Sequence, residues 1–394
     1  MFLNIKERYS IVIILYTTLI CSCTSKSPRH VNYSKRLIAD TSITIPVDNT
    51  TPNYSNYIQV YNVENKEYLV LGNHEKRSIQ FYDLQTMELV KEINLHKDGP
   101  NGIGGLYGFL VKSLDSIYVL NGYFYKVYLV NGEGQILKTY SLLNQVKQNQ
   151  INNPADLDIS TSLAIGDFGS PLIIRKDTLY LVGIPDGNPL SKKYYSQGKV
   201  NIWVDLKTSK HGLNYGYPET YTRKNLAYLA PTISRCIAMN HFVYSFGGAN
   251  NLLVTRDFKT SVKYPANSRF FKAPDEINRS FNNTDQNISI SMFKTASFFL
   301  EILFDPYRQV FYRIALIGNP SQKKISLEKD AITIIILNKD FKIIGETLLK
   351  KNTYLYKDIF VGRKGLYIST ANPFNPSMKE NSMNFKIFKL KDLQ

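Results

Sequence analysis

Ser113–Leu142, SLDSIYVLNGYFYKVYLVNGEGQILKTYSL, is the stretch whose reading decides the fold. Ile117 and Val119, Val127 and Leu129, then Ile136, Leu137 and Tyr140 supply apolar runs too short for helices and suited to strands. Asn121-Gly122 and Asn131-Gly132-Glu133-Gly134 separate them, and glycine and asparagine tolerate the positive φ that tight hairpins need. The unit is a short antiparallel meander.

The same unit recurs along the chain. Tyr57–Leu95 holds four strand candidates, Phe109–Leu142 repeats the pattern, and Leu172–Tyr217, Ile233–Tyr264 and Phe298–Leu349 follow. Ile359–Leu390 supplies only three, and Ile43–Val47 (ITIPV) is left over at the other end. The recurrence predicts an all-β chain folded as a six-bladed β-propeller, with the N-terminal strand completing the last blade. Such closure hides the sheet edges that an open array would expose. Ala266–Thr295 is long enough to hold the strands of a seventh blade.

Hydrophobic residues make up 43% of the 394, enough for one large folded body. Tyr (28) and Phe (21) far outnumber Trp (1) and Met (6), a strand-favouring bias. The net charge of +16 admits polyanionic partners, but no block of five like charges exists and Lys and Arg are scattered. A dispersed basic surface is therefore expected, and no nucleic-acid partner.

Lys6 and Arg8 precede an apolar run, Ile11–Ile20, that ends in Cys21-Ser22-Cys23. This is a secretory signal, too short to span a bilayer as a mature helix. Ile20-Cys21-Ser22-Cys23 resembles a bacterial lipobox, so residues 1–22 are expected as a signal peptide and Cys23 as the acylated residue. Residues 23–41 then form the lipidated cysteine and a polar, basic tether, with the propeller over 42–394. Beyond Cys23 the mature chain has only Cys236, so no internal disulfide framework is available.

The phrases SIQFYD (78–83), KDGPNGIG (97–104), DSIYV (115–119) and DPYRQVFYR (305–313) resemble a domain-of-unknown-function family of lipoproteins from Gram-negative anaerobes, similar to six-bladed TolB-like propellers. The resemblance covers nearly all of the mature chain. It implies fold and anchoring, and it lends no catalytic residue. Surface-exported lipoproteins of some gut anaerobes carry an acidic run after the cysteine. This chain has none, so the expected location is the outer membrane, lipid-anchored, with the periplasmic face favoured over the cell surface.

Loop lengths carry the functional signal. Strands alternate direction within a blade, which puts short turns such as Glu64–Lys66 and Asp305–Arg308 on one face. His96–Tyr107, Asn144–Ser170, Ile184–Lys199, Pro218–Pro231, Ala266–Thr295 and Ala371–Met383 fall on the other. Long polar loops on one side of a rigid scaffold are where binding usually resides, here of an envelope protein or a glycan. His96, Lys97, Asp98 and Asn101 lie in a glycine-rich loop that could turn backbone N–H groups toward a ligand oxygen, or serve only as a close-packed crossover. Tyr123 and Tyr125 at a hairpin tip, Tyr195 and Phe374 are candidate stacking residues, with blade packing as the alternative use.

Catalytic signatures are missing. The histidines His30, His74, His96, His211 and His241 show no metal spacing, although His74 and His96 could meet across the first blade. No cofactor is expected except calcium, for which Asp156, Asp158 and Asp167 could supply oxygens at the mouth of a central channel. That is the alternative reading: a calcium-dependent propeller hydrolase or lactonase. Cys236 sits in a strand-like apolar context that suits a buried, inert thiol.

Overall fold

The computed structural model describes residues 33–143, 162–278, 286–319, 327 and 330–393, so Cys23, Asp156 and Asp158 lie outside the described residues. The described part is all-β, and its sheets stand in a propeller-like arrangement. Strand β1 is Lys35–Pro46. The first complete sheet is β2 (Ile58–Val63), β3 (Lys66–Asn73), β4 (Ser78–Asp83) and β5 (Leu89–Asn94). The second is β6 (Phe109–Ser113), β7 (Ser116–Asn121), β8 (Lys126–Val130) and β9 (Ile136–Ser141). The stretch quoted at the outset supplies its last three strands.

In the third sheet the first strand is broken. Strands β10 (Ser162–Ile165) and β11 (Ile173–Arg175) both pair with β12 (Thr178–Pro185), and β13 (Lys199–Asp205) and β14 (His211–Gly216) follow. The fourth sheet is β15 (Ile233–Ala238), β16 (His241–Phe246), β17 (Asn251–Thr255) and β18 (Val262–Pro265).

The remaining strands form one eight-stranded sheet. It contains β19 (Phe298–Asp305), β20 (Val310–Ile317), β21 (Ala331–Asn338), β22 (Ile343–Leu348), β1, then β25 (Ser382–Asp392), β24 (Gly365–Ser369) and β23 (Ile359–Gly362). The expectation of separate four-stranded units is not met here. Two of them join through a single parallel pair, Lys35 with Gly345. Glycine permits that approach, since a Cβ at Gly345 would collide with the Lys35 carbonyl.

The leftover N-terminal segment does complete the C-terminal group. Ile43 pairs with Phe385 and Ile45 with Met383, in an antiparallel ladder that runs back to Lys35 opposite Asp392. Residues 35–41, expected as tether, are therefore strand. Their sequence hides it: Leu37 is the one buried side chain in that run, and an edge strand exposed on both faces reads as polar coil.

The crossovers also hold short helices that the sequence reading left as loops: α1 (Lys192–Gln197), α2 (Thr220–Arg223), a 3₁₀ turn at Ala227–Leu229, and α3 (Gln286–Thr295). The described part of Ala266–Thr295 adds this helix and no further strand. Successive strands within each group still pair antiparallel, so the helices do not disturb the division into a short-turn face and a long-loop face.

Third strands lie between neighbouring layers and are buried on both sides. Every residue of β4 is buried, and polar Gln80 within it donates to Thr51 Oγ1 and Glu92 Oε1, both at 3.0 Å. The core is a series of layers between sheets. Val70, Ile79, Phe81 and Ile93 of the first sheet meet Phe109, Val111, Val119 and Val130 of the second. Each such side chain contributes about 1.5–3 kcal/mol by leaving water.

Candidate functional site

The long-loop face carries a cleft where the first three sheets meet, and glycine makes the junction. Gly108, entering β6, pairs in parallel with Gly166, just past β10. A Cβ on Gly108 would stand 2.7 Å from the Gly166 Cα, so only glycine lets the two backbones touch. The next residues along, Tyr107 and Asp167, are thereby brought to the same cavity. Phe168 N–H donates to the Asn56 carbonyl at 2.8 Å and ties the segment between β10 and β11 to the approach to β2.

Two adjoining cavities result, of about 360 and 340 Å³, sharing Asn56, Tyr57 and Tyr107 in their walls. Tyr54 and His74 line one, and Tyr123, Asp167 and Phe168 the other. The aromatic wall is built edge to face. Tyr107 meets Tyr123 with ring centroids 4.9 Å apart and planes at 71°, and meets His74 at 5.2 Å. His74 Nδ1 donates to the Leu106 carbonyl at 2.8 Å, which fixes its ring.

Asp167 is half-buried in this wall. Burial raises its carboxyl to about 6, opposed by hydrogen bonds from the backbone N–H groups of Gly169 and Ser170. Burial, with the Asp167 charge second, pushes the Tyr57 phenol up to about 12. Behind Asp167 lies Glu301 of β19, fully buried and raised well above the usual carboxylate range by burial and then by Asp167 and Asp358. Neither Glu301 carboxyl oxygen has a hydrogen-bond partner. Asp358, entering β23, accepts from the Ser55 N–H at 3.1 Å, and burial raises it to about 8. Among the described residues no group of three or more His, Cys, Asp or Glu is placed to hold a metal ion.

Of the residues singled out in the sequence, His74, Tyr123 and Asp167 come together in the walls of the cleft. Tyr123 is 67% exposed. Tyr125 turns the other way: it is buried, and its hydroxyl donates to the Asp186 carboxylate at 3.0 Å, joining the β7–β8 turn to the β12–β13 crossover. Tyr195 is also buried, packed with Tyr194, Tyr217 and Tyr221, and donates to the Pro189 carbonyl at 2.7 Å.

His96, Lys97 and Asp98 are exposed on the loop between β5 and β6. The N–H groups of Gly102, Ile103 and Gly104 are bonded to the carbonyls of Gly99, His96 and Lys97, so these three are turned inward. Asn101 accepts from the Ile136 N–H at 3.2 Å, while Ile103 and Leu106 are fully buried between the first two sheets. The loop is a close-packed crossover. Phe374 lies elsewhere, in the wall of a separate pocket of about 570 Å³ with Lys350, Lys351 and Asn375.

Sequence reasoning missed Tyr57, Tyr107 and Glu301 as cleft and axis residues. Only Glu301 carried a local signal, an acid in the middle of the apolar strand FFLEILFD.

The chain matches the family model of a domain of unknown function, DUF4221, over residues 34–348. It is similar to the crystal structure of a DUF4221 family member from Bacteroides vulgatus, at 25% identity and a TM-score of 0.79, covering 92% of this chain and 100% of that one. It is also similar to a candidate exported protein of Bacteroides fragilis, at 9% identity and a TM-score of 0.51, covering 93% and 98%, a likeness of fold alone. No curated protein matches it.

Proposed function

This chain belongs to the DUF4221 family of domains of unknown function, and from that premise we propose that it is a non-catalytic binding module of the cell envelope. In this reading the propeller has six blades: the eight-stranded sheet counts as two, since one parallel pair joins its halves. Cys23 carries the lipid, and a tether of about eleven residues leads to β1 and holds the domain on the periplasmic side of the outer membrane. The long-loop face engages a glycan or an envelope protein.

One observation carries the reading: the aromatic cleft of Tyr57, Tyr107 and Tyr123 over Asp167, on the face that bears the long loops. Flat rings beside a carboxylate and an amide suit stacking on a sugar or a partner's side chain, with polar groups setting orientation. The test is a glycan-array and envelope pull-down screen with the full-length chain in detergent, comparing wild type with Tyr107→Ala and Tyr123→Ala. The reading expects at least tenfold weaker capture by the Tyr107 variant. Equal capture by both variants and wild type would remove the cleft from the function.

A further inference from the structure

The cleft is electrostatically unlike the rest of the molecule. The chain carries a net charge of +16, yet neither cavity has a Lys or Arg in its walls. The charged side chains lining them are Glu75 and Asp167, beside the rings of Tyr54, Tyr57, Tyr107 and Tyr123. Behind Asp167 stand Glu301 and Asp358, and Glu301 is fully buried with both carboxyl oxygens unmet. Burial keeps Glu301 and Asp358 in their neutral forms near neutral pH, which leaves Asp167 as the carboxylate that faces the cavity. Lys357 places its ammonium 5.5 Å from the ring of Tyr54, a residue that lines the first cavity. The rim thus already holds one cation against an aromatic face.

We propose that the cleft recognises a protonated amine on a saccharide, held between the rings of Tyr57, Tyr107 and Tyr123 and ion-paired to Asp167. The inference rests on the ligand-binding reading above and narrows its ligand to an amino sugar. Tyrosine rings attract a cation through their negative faces and stack on the apolar face of a pyranose, so one wall serves both parts of such a ligand. Asn56, shared by both cavities, supplies a donor and an acceptor for ring hydroxyls. An anionic ligand would meet Asp167 and Glu75 with no Lys or Arg in the walls to compensate. A neutral sugar would leave Asp167 without a counter-charge.

The experiment is calorimetric titration of the full-length chain in detergent at pH 7.5 with four probes: the glucosamine dimer, its N-acetylated form, cellobiose, and N-acetyl-lysine amide. The proposal expects the glucosamine dimer to bind at least tenfold more tightly than either neutral disaccharide. Asp167→Asn should bring it down to their level, with the variant's fold checked by its thermal unfolding. Binding of all three disaccharides with equal strength would overturn amine recognition and leave the glycan reading standing. Binding of the lysine amide without any disaccharide would overturn the saccharide and shift the ligand to a protein. Failure of every probe would overturn the proposal together with the reading beneath it. Should Asp167→Asn not fold, Tyr107→Ala provides the second variant, with the same loss expected.

Discussion

Tyr307 and Glu67, 240 positions apart in the chain, meet at 3.1 Å where the tyrosine hydroxyl donates to Glu67 Oε1. The Arg363 N–H donates to the same carboxylate at 3.0 Å, and the Arg363 side chain reaches the Asn65 carbonyl at 2.8 Å. Arg308 adds bonds to Asp305 at 2.7 Å and to the Arg363 carbonyl at 2.7 Å. On the short-turn face, three turns from both ends of the chain are thus locked together. Glu67→Ala should lower stability by about 1–2 kcal/mol, and Tyr307→Phe by less, because the partly exposed carboxylate serves both donors. Urea unfolding midpoints at constant slope measure this, and an unchanged midpoint for Glu67→Ala would show that the turns are held by other contacts.

Arg313 is buried without an acid beside it. Its guanidinium donates to Ser245 Oγ and to the carbonyls of Phe246, Ala249, Asn250 and Ala266, and lies 3.4 Å from the Phe299 ring centroid. Arg313→Met would leave those acceptors unmet, at a cost of about 3–5 kcal/mol. Arg313→Lys should rescue little of it, since an ammonium has three donors and no planar fork. A lysine variant with wild-type denaturant stability would contradict this account.

Asp358 makes stability depend on pH in a defined sense. Burial raises its folded value to about 8, far above that of an unfolded aspartate, so the folded state holds the proton more tightly. Its contribution is full below about pH 4 and is lost as pH rises through 8, with a slope of at most about 1.4 kcal/mol per pH unit. Asp358→Asn keeps an acceptor for the Ser55 N–H and should flatten the curve between pH 4 and 8. The measurement is the wild-type minus variant difference in unfolding free energy across that range. A difference independent of pH would mean the carboxyl is charged in the fold.

Ile45 tests the seam between the termini. It is fully buried in a cluster with Leu69, Leu71 and Tyr82 of the first sheet and with Phe385 and Ile387 of β25. Ile45→Ala should destabilise by about 2–5 kcal/mol. Ile38→Ala, on the same strand but 38% exposed, should stay within about 0.5 kcal/mol. Equal effects at both positions would mean that β1 is held by backbone pairing and not by its buried face.

The architecture was legible because strand, turn and repeat gave one consistent answer. The surplus ITIPV segment and the short sixth unit pointed to each other. A further signature went unread. The turn leaving the third strand is capped by Asp83, Asn131, Asp205, Asp257 or Asn338, each accepting the N–H two residues on. That spacing marks five of the repeats in the bare sequence. The extent of β1 was not legible, because an exposed edge strand lacks the alternation that betrays a half-buried one.

The cleft was harder. Tyr123 stood out since three consecutive aromatics at a turn cannot all be buried. Tyr57 and Tyr107 look like ordinary strand-flanking residues until the Gly108–Gly166 contact sets them around Asp167. Convergence of residues from separate sheets is a property of closure, which no local window contains.

The pairing of β1 with β25 has a consequence for biogenesis. Strand β1 must wait, unpartnered along its ladder, until β25, about 340 residues later, has been made. Folding of this group can therefore be finished only after β25 is made, and a chain stopped short of Ser382 would leave β1 and β24 without their shared partner and open to pairing with neighbours.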